Sequence, residues 1–211
     1  MKLPRRQLAS IFYLPVTALA AVLVLSALPQ HAAPQSPASG LVFVLDPAQS
    51  KVHWTLGTTL HTVHGTFDLK KGVLQLDPST GNATGEIVVD ATSANSGNDS
   101  RDNKMHKDVL ESARFTDIIF RPHRLEGKIT PQGESSVQLH GFFVLHGSEH
   151  EFSVPVQANL AADHWTAKAN FSVPFIDWGL KNPSTWLLKV DHAVTVELEL
   201  KGTLQTPAPG S

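Results

Sequence analysis

Alternation of apolar and polar residues, sustained through most of the chain after Leu41, constrains the fold more than any other feature. Trp165, Ala167, Ala169, Phe171 and Val173 alternate with Thr166, Lys168, Asn170 and Ser172, and Val194, Val196, Leu198 and Leu200 alternate with Thr195, Glu197, Glu199 and Lys201. Successive side chains of a strand point to opposite faces, so a period of two predicts half-buried strands. The same parity holds for Val52, Trp54 and Leu56, for Val63, Gly65, Phe67 and Leu69, and for Ile87 and Val89. Val137, Leu139, Gly141, Phe143 and Leu145 share it, and Phe152, Val154 and Val156 follow a tight Gly147-Ser148-Glu149 link. Asp77-Pro78-Ser79-Thr80-Gly81-Asn82 supplies turn chemistry between two of these runs. The chain is therefore all-β. Antiparallel strands wet on one side, about eight of them, close most economically into a barrel, although a two-sheet sandwich fits the same pattern. Such a barrel is either packed solid or holds one small ligand, and small inward residues, Gly65, Gly141, Ala167 and Ala169, favour open volume.

One stretch breaks the period. Asp99 to Pro122 reads as a short charged helix, placed near residues 101–112, that runs into an apolar strand. Asp99 or Ser100 is expected to cap it, with Asp102 favourably set against the positive end of the helix dipole. Met105 and Val109, with Leu110 beside them, make a narrow inward stripe, while Lys104, Lys107, Asp108 and Glu111 stay wet. A helix of this kind is a lid or plug. Phe115, Ile118, Ile119 and Phe120 then predict a strand ended by Pro122, with another around Leu125 to Ile129.

The N-terminus has a different character. Lys2, Arg5 and Arg6 precede a mostly apolar run from Leu8 to Leu28, the layout of an export signal. About 21 residues at about 1.5 Å each also span a bilayer core of about 30 Å. Residues 1–28 are thus read as a signal peptide or a signal anchor, 29–40 as a Pro-rich linker, 41–204 as the folded domain and 205–211 as a flexible tail. The expected location is periplasmic or extracellular, either free or anchored through residues 8–28. Charged residues make up only 17% of the chain and the formal net charge is −2, so it lacks the basic footprint of a nucleic-acid binder. The absence of cysteine excludes disulfides, thiolate zinc sites and a Cys nucleophile.

The assembled motifs resemble the YceI-like, polyisoprenoid-binding family. Arg101-Asp102 opens the helix, Leu110-x-Ser112-x-x-Phe115 follows, and the strand Ile118 to Phe120 comes next. Asp46 through Trp54, His64-Gly65-Thr66-Phe67 with Gly72, Gly141 through Gly147, and Asp177-Trp178-Gly179-Leu180 agree in order, so the resemblance spans roughly Leu41 to Leu204. Two departures stand out. Lys104 occupies the place of the family's histidine in Arg-Asp-x-His-Leu, and Phe143-Val144 replaces Leu-Thr in the later motif. The resemblance implies a lipocalin-like antiparallel barrel holding an isoprenoid lipid, such as a quinone or polyprenyl chain, in its apolar interior.

A hollow barrel would be lined by the apolar parity: Trp54, Phe67, Ile87, Val89, Ile118, Phe120, Phe143, Phe152, Trp165 and Phe171. The same residues equally suit a filled core. Arg101 and Asp102 either meet a lipid headgroup at the mouth or anchor the helix locally, and Lys181 and Asn182 sit in a polar loop. No catalytic residue, cofactor or metal site is expected. His61 and His64 face opposite sides of a strand, and His140, His146 and His150 are widely spread without an evident carboxylate partner. Three functions remain open: an exported carrier or reservoir of an isoprenoid lipid or quinone, an enzyme acting on a small lipid-like molecule, and a cell-envelope interaction module with a filled core. Expected partners are the lipid itself, the membrane by contact or through the N-terminal anchor, and a second copy paired along long edge strands.

Overall fold

In the computed structural model, residues 40–205 are described. The expected signal or anchor, the linker before Gly40 and the tail after Gln205 lie outside the described residues. The alternating segments form nine antiparallel strands: β1 (Leu41–Leu45), β2 (Lys51–Gly57), β3 (Thr62–Asp77), β4 (Asn82–Asn95), β5 (Asp117–Gly127), β6 (Gly133–Leu145), β7 (Ser148–Ala161), β8 (His164–Val173) and β9 (Val194–Gln205). Strands β3 to β9 pair in chain order. The ring closes through β1 and β2, which share one position between β3 and β9: Val44 pairs with Val73 and Thr203, and Trp54 with Gly65 and Val196. A 3₁₀ turn at Pro47–Gln49 separates the two halves, held by Asp46, whose carboxylate accepts from the Ala48 and Gln49 N–H groups at 3.0 and 3.3 Å. Nine strands therefore make an eight-position closed barrel, the more economical closure expected, and not the sandwich that the same alternation also fits. Closure leaves no long unpaired edge among the described strands, so edge pairing gives no reason for a homodimer.

Two expectations about local structure are corrected. Strand β5 does not end at Pro122 but passes through it to Gly127, absorbing the missing N–H at a bulge between Pro122 and Arg124. That bulge brings backbones close together: a Cβ on Gly141 would lie 2.3 Å from Arg121 O, so this glycine serves close approach and not open volume. Gly65 behaves similarly, since its missing Cβ is replaced by the Trp54 indole, 2.2 Å from where that Cβ would stand. Only the two alanines, Ala167 and Ala169, border open space.

The helix α1 (Asp99–Lys104) is capped by Asn98, not by Asp99 or Ser100, because Asn98 is the residue with extended backbone whose side chain accepts from Arg101 N–H at 3.0 Å. Its continuation, Met105–Val109, widens: Leu110 N–H reaches back five residues to Met105 O at 2.9 Å, and Ser112 N–H reaches His106 O at 3.1 Å. The inward stripe is as expected, with Val109 buried against Leu145, Val173, Phe175 and Leu180. Two residues read as simply wet have partners. Asp108 Oδ1 lies 3.6 Å from Lys181 Nζ, and Glu111 Oε2 lies 3.3 Å from His146 Nε2. Both contacts tie the helical segment to loops at one barrel end. The opposite end is packed by Leu74, Leu76, Leu125, Leu160 and Trp165, with the Phe43 and Trp165 rings edge-on at 5.6 Å.

On the outer wall, charges cross four strands. Lys71 Nζ is 2.7 Å from Glu86 Oε1, Arg121 Nε is 3.6 Å from Glu86 Oε2, and Arg121 Nη1 is 3.2 Å from Glu149 Oε1. Hydrogen bonding from Lys71, with Arg121 adding to it, holds the Glu86 carboxyl below its usual range against the opposing effect of burial. No helix among the described residues is long and apolar enough to cross a membrane.

Candidate functional site

Two cavities stand out inside the barrel. The lower one, of about 140 Å³, is walled by side chains of all nine strands, and among the described residues Lys168 is the one member of that wall that is not apolar. Its ammonium lies outside, 3.6 Å from Glu199. Eight of the ten residues expected to line a hollow barrel are here: Phe67, Ile87, Val89, Ile118, Phe120, Phe143, Trp165 and Phe171. An apolar cavity of about 150 Å³ stays dry and takes up a small hydrocarbon ring, so this space suits a hydrocarbon and repels water.

The upper cavity, of about 430 Å³, lies under α1 and the loop between β8 and β9. Trp54 lines this one, with Leu56, Val63, Met105, Val109, Phe175 and Leu180. Phe67, Ile118, Phe143 and Val196 border both spaces and form the collar where they meet. Among the described residues, polar groups enter only here: Thr58, His61, Asn98, Ser100, Arg101 and Lys104. The bore is thus polar at one end and greasy along its remaining length.

Phe152 is the expected lining residue that borders neither cavity. It packs on Phe143 at 5.8 Å, Phe171 at 5.6 Å and Trp178 at 5.5 Å, because the turn after β8 sets the Trp178 indole across that end of β7. Trp178 also stacks flat on His150 at 4.2 Å. Phe43, Ile129, Leu139 and Leu200 line the lower cavity without having been singled out, although they hold hydrophobic positions on or beside strands. Aromatic size drew attention elsewhere; parity alone would have found Leu139 and Leu200.

Arg101 and Asp102 part company. Both grip Ser96: Arg101 Nε donates to Ser96 Oγ at 2.7 Å and Nη2 to Ser96 O at 3.0 Å, while Asp102 accepts from Ser96 N–H at 3.0 Å and from its hydroxyl. Asp102 therefore anchors the helix and stands off the cavity. Arg101 does the same and also lines the upper cavity, with three of its five guanidinium N–H groups uncommitted among the described residues. Lys104 and His61 are further cationic or ionisable groups on that wall that sequence reading did not select, since they lie on segments distant in the chain.

The histidines need one correction. His140 and His146 do have carboxylates nearby, Glu126 at 3.1 Å and Glu111 at 3.3 Å, which strand pairing and the helix turn supply from afar. Each is a single pair. Among the described residues no three His, Cys, Asp or Glu side chains converge as a metal-binding group.

Compared with known families, residues 43–202 match the YceI-like domain. No curated protein matches the chain. Among solved structures, BcnA of Burkholderia cenocepacia is 15% identical with a TM-score of 0.60, over 75% of this chain and 99% of that one. A polyisoprenoid-binding domain from Saccharophagus degradans, implicated in plant cell wall breakdown, is 16% identical with a TM-score of 0.56, over 82% of this chain and 100% of that one. The YCEI protein of Campylobacter jejuni is 16% identical with a TM-score of 0.56, over 68% of this chain and 86% of that one. At such identities the likeness is one of fold.

Proposed function

The chain belongs to the YceI-like domain family, and from that premise we propose that its barrel binds an isoprenoid lipid or quinone, tail inward, as an exported carrier or reservoir. The observation that carries this reading is the bore itself, two apolar cavities meeting at Phe67, Ile118, Phe143 and Val196, with polar groups confined to one end. A long hydrocarbon with a single polar end is the complementary shape. Each methylene withdrawn from water contributes about 0.8 kcal/mol, so a few isoprene units suffice to hold the ligand without directional contacts. Arg101 and Lys104 then meet the quinone carbonyls or the polyprenyl headgroup as charge-assisted donors to oxygen, with the His61 imidazole on the same wall. A relative of the same fold, the Saccharophagus degradans domain, is described as polyisoprenoid-binding, which agrees with this ligand class. Export rests on the basic start and the apolar run from Leu8 to Leu28.

Purification without detergent, organic extraction and mass spectrometry test the proposal. An isoprenoid or quinone in near-equal amount to protein is expected. Protein that carries none, and that also takes up neither polyprenol nor quinone when offered, overturns it.

A further inference from the structure

Three strongly exposed apolar side chains cluster on the lip of the upper cavity: Leu60 at 70%, Trp186 at 89% and Leu187 at 64% of their full exposure. Leu60 caps the tip between β2 and β3, and Trp186 and Leu187 cap a turn in which Thr185 N–H donates to Leu188 O at 2.7 Å. The two tips are laced together. Thr59 N–H donates to Lys189 O at 3.0 Å, and Lys189 N–H donates to Thr59 Oγ1 at 3.3 Å. Immediate neighbours of the exposed residues, His61 and Leu188, line the upper cavity, so the greasy tips flank its wall. Backbone hydrogen bonds hold these side chains out in water.

We propose that this lip docks onto the interface of a zwitterionic lipid bilayer, with Trp186, Leu187 and Leu60 inserted among the headgroups. The inference rests on the lipid-binding reading, because it gives the route by which a membrane-resident tail reaches the bore without crossing water. Trp is the side chain best suited to the headgroup layer, with an apolar ring and one N–H donor. A protein partner is a poorer match: a stable interface buries about 800 Å² on each side, more than three side chains on two tips supply. Charge decides the lipid class. Across residues 99–108 and 177–191, five basic side chains are balanced by five acidic ones, leaving no net field to select anionic lipid. Insertion of apolar side chains carries the contact.

The test uses the full-length protein and phosphatidylcholine vesicles with brominated acyl chains. Tryptophan emission is expected to be quenched on mixing, and Trp186→Phe, which keeps the apolar ring, is expected to remove most of that quenching. Raising salt to 500 mM should change it less than twofold. A combined Leu60→Ser, Trp186→Ser and Leu187→Ser variant should take up quinone from vesicles at least tenfold more slowly, yet load as much as the unaltered protein from detergent. Quenching equal in the unaltered protein and Trp186→Phe overturns docking, as does Trp186 buried between two copies in solution. A barrel that loads from detergent while Trp186 stays unquenched overturns the docking surface alone. A barrel that loads from neither source, with Trp186 quenched, overturns lipid binding and leaves the docking surface standing.

Discussion

Filling the lower cavity should stabilise the ligand-free barrel and spoil its capacity together, a pairing that few substitutions produce. Ala167 lies on β8 with its side chain on the cavity wall, so Ala167→Leu places three more carbons into existing space. At about 0.8 kcal/mol per buried carbon, they contribute about 2.4 kcal/mol. An independent route agrees: a buried void weakens a core by about 24 cal/mol per Å³, which for the 140 Å³ of this cavity comes to about 3.4 kcal/mol. In a domain of this size, a gain of about 2 kcal/mol raises the unfolding midpoint by about 4–8 °C. Delipidated protein is compared with the variant by chemical and thermal denaturation, and each is then titrated with polyprenol. The expected result is a more stable variant with polyprenol affinity lowered at least tenfold. A variant destabilised by about 1–3 kcal/mol, the usual outcome of overpacking, would show that the space at Ala167 is already filled. Unchanged affinity would show that the tail does not reach it.

Other substitutions probe the plug and the walls. Ser96→Ala removes the hydroxyl shared by Arg101 and Asp102, and a loss of about 1–3 kcal/mol should appear as faster amide exchange across Asn98 to Leu110. Gly65→Ala should cost about 1–3 kcal/mol in urea denaturation, because its Cβ meets the Trp54 indole at 2.2 Å and Asn95 O at 2.5 Å. The carboxyl of Glu86 is held low by Lys71, so its contribution to stability is present above its unfolded-state value and is lost as pH falls through the lower folded value. Exposure keeps that contribution within about 1 kcal/mol, and Lys71→Met should flatten the stability profile below about pH 4.5, near the ordinary glutamate value.

The strands were legible because alternation is a local signal: Trp165 to Val173 and Val194 to Leu200 each declare their inward faces without reference to the rest of the chain, whereas their closure into a barrel is set by pairings between distant strands. Bulges are less visible. Pro122 reads as a stop because its missing N–H is local, whereas the pairing that lets β5 continue past it belongs to Gly141, nineteen residues on. Glycines also misled, since small residues on an inward parity look the same whether they border a void or, like Gly65, receive a neighbour's indole. Within the site, eight of the ten expected residues fell on the lower cavity and Trp54 on the upper. Phe152 did not, because Trp178 arrives from a loop that periodicity cannot place. The polar wall was the least legible part. His61, Arg101 and Lys104 come from a hairpin tip and a helix, and only tertiary packing brings them together.

Photolabelling of the bore tests the central claim most directly. An isoprenoid carrying a diazirine at its tail end is bound to the full-length protein, irradiated, and the labelled peptide sequenced. Label should fall on the lower cavity wall, on β8 between Trp165 and Phe171 or on β6 between Val137 and Phe143. Label confined to the outer face, at Phe142 or the Trp186 turn, would mean that the tail never enters the barrel.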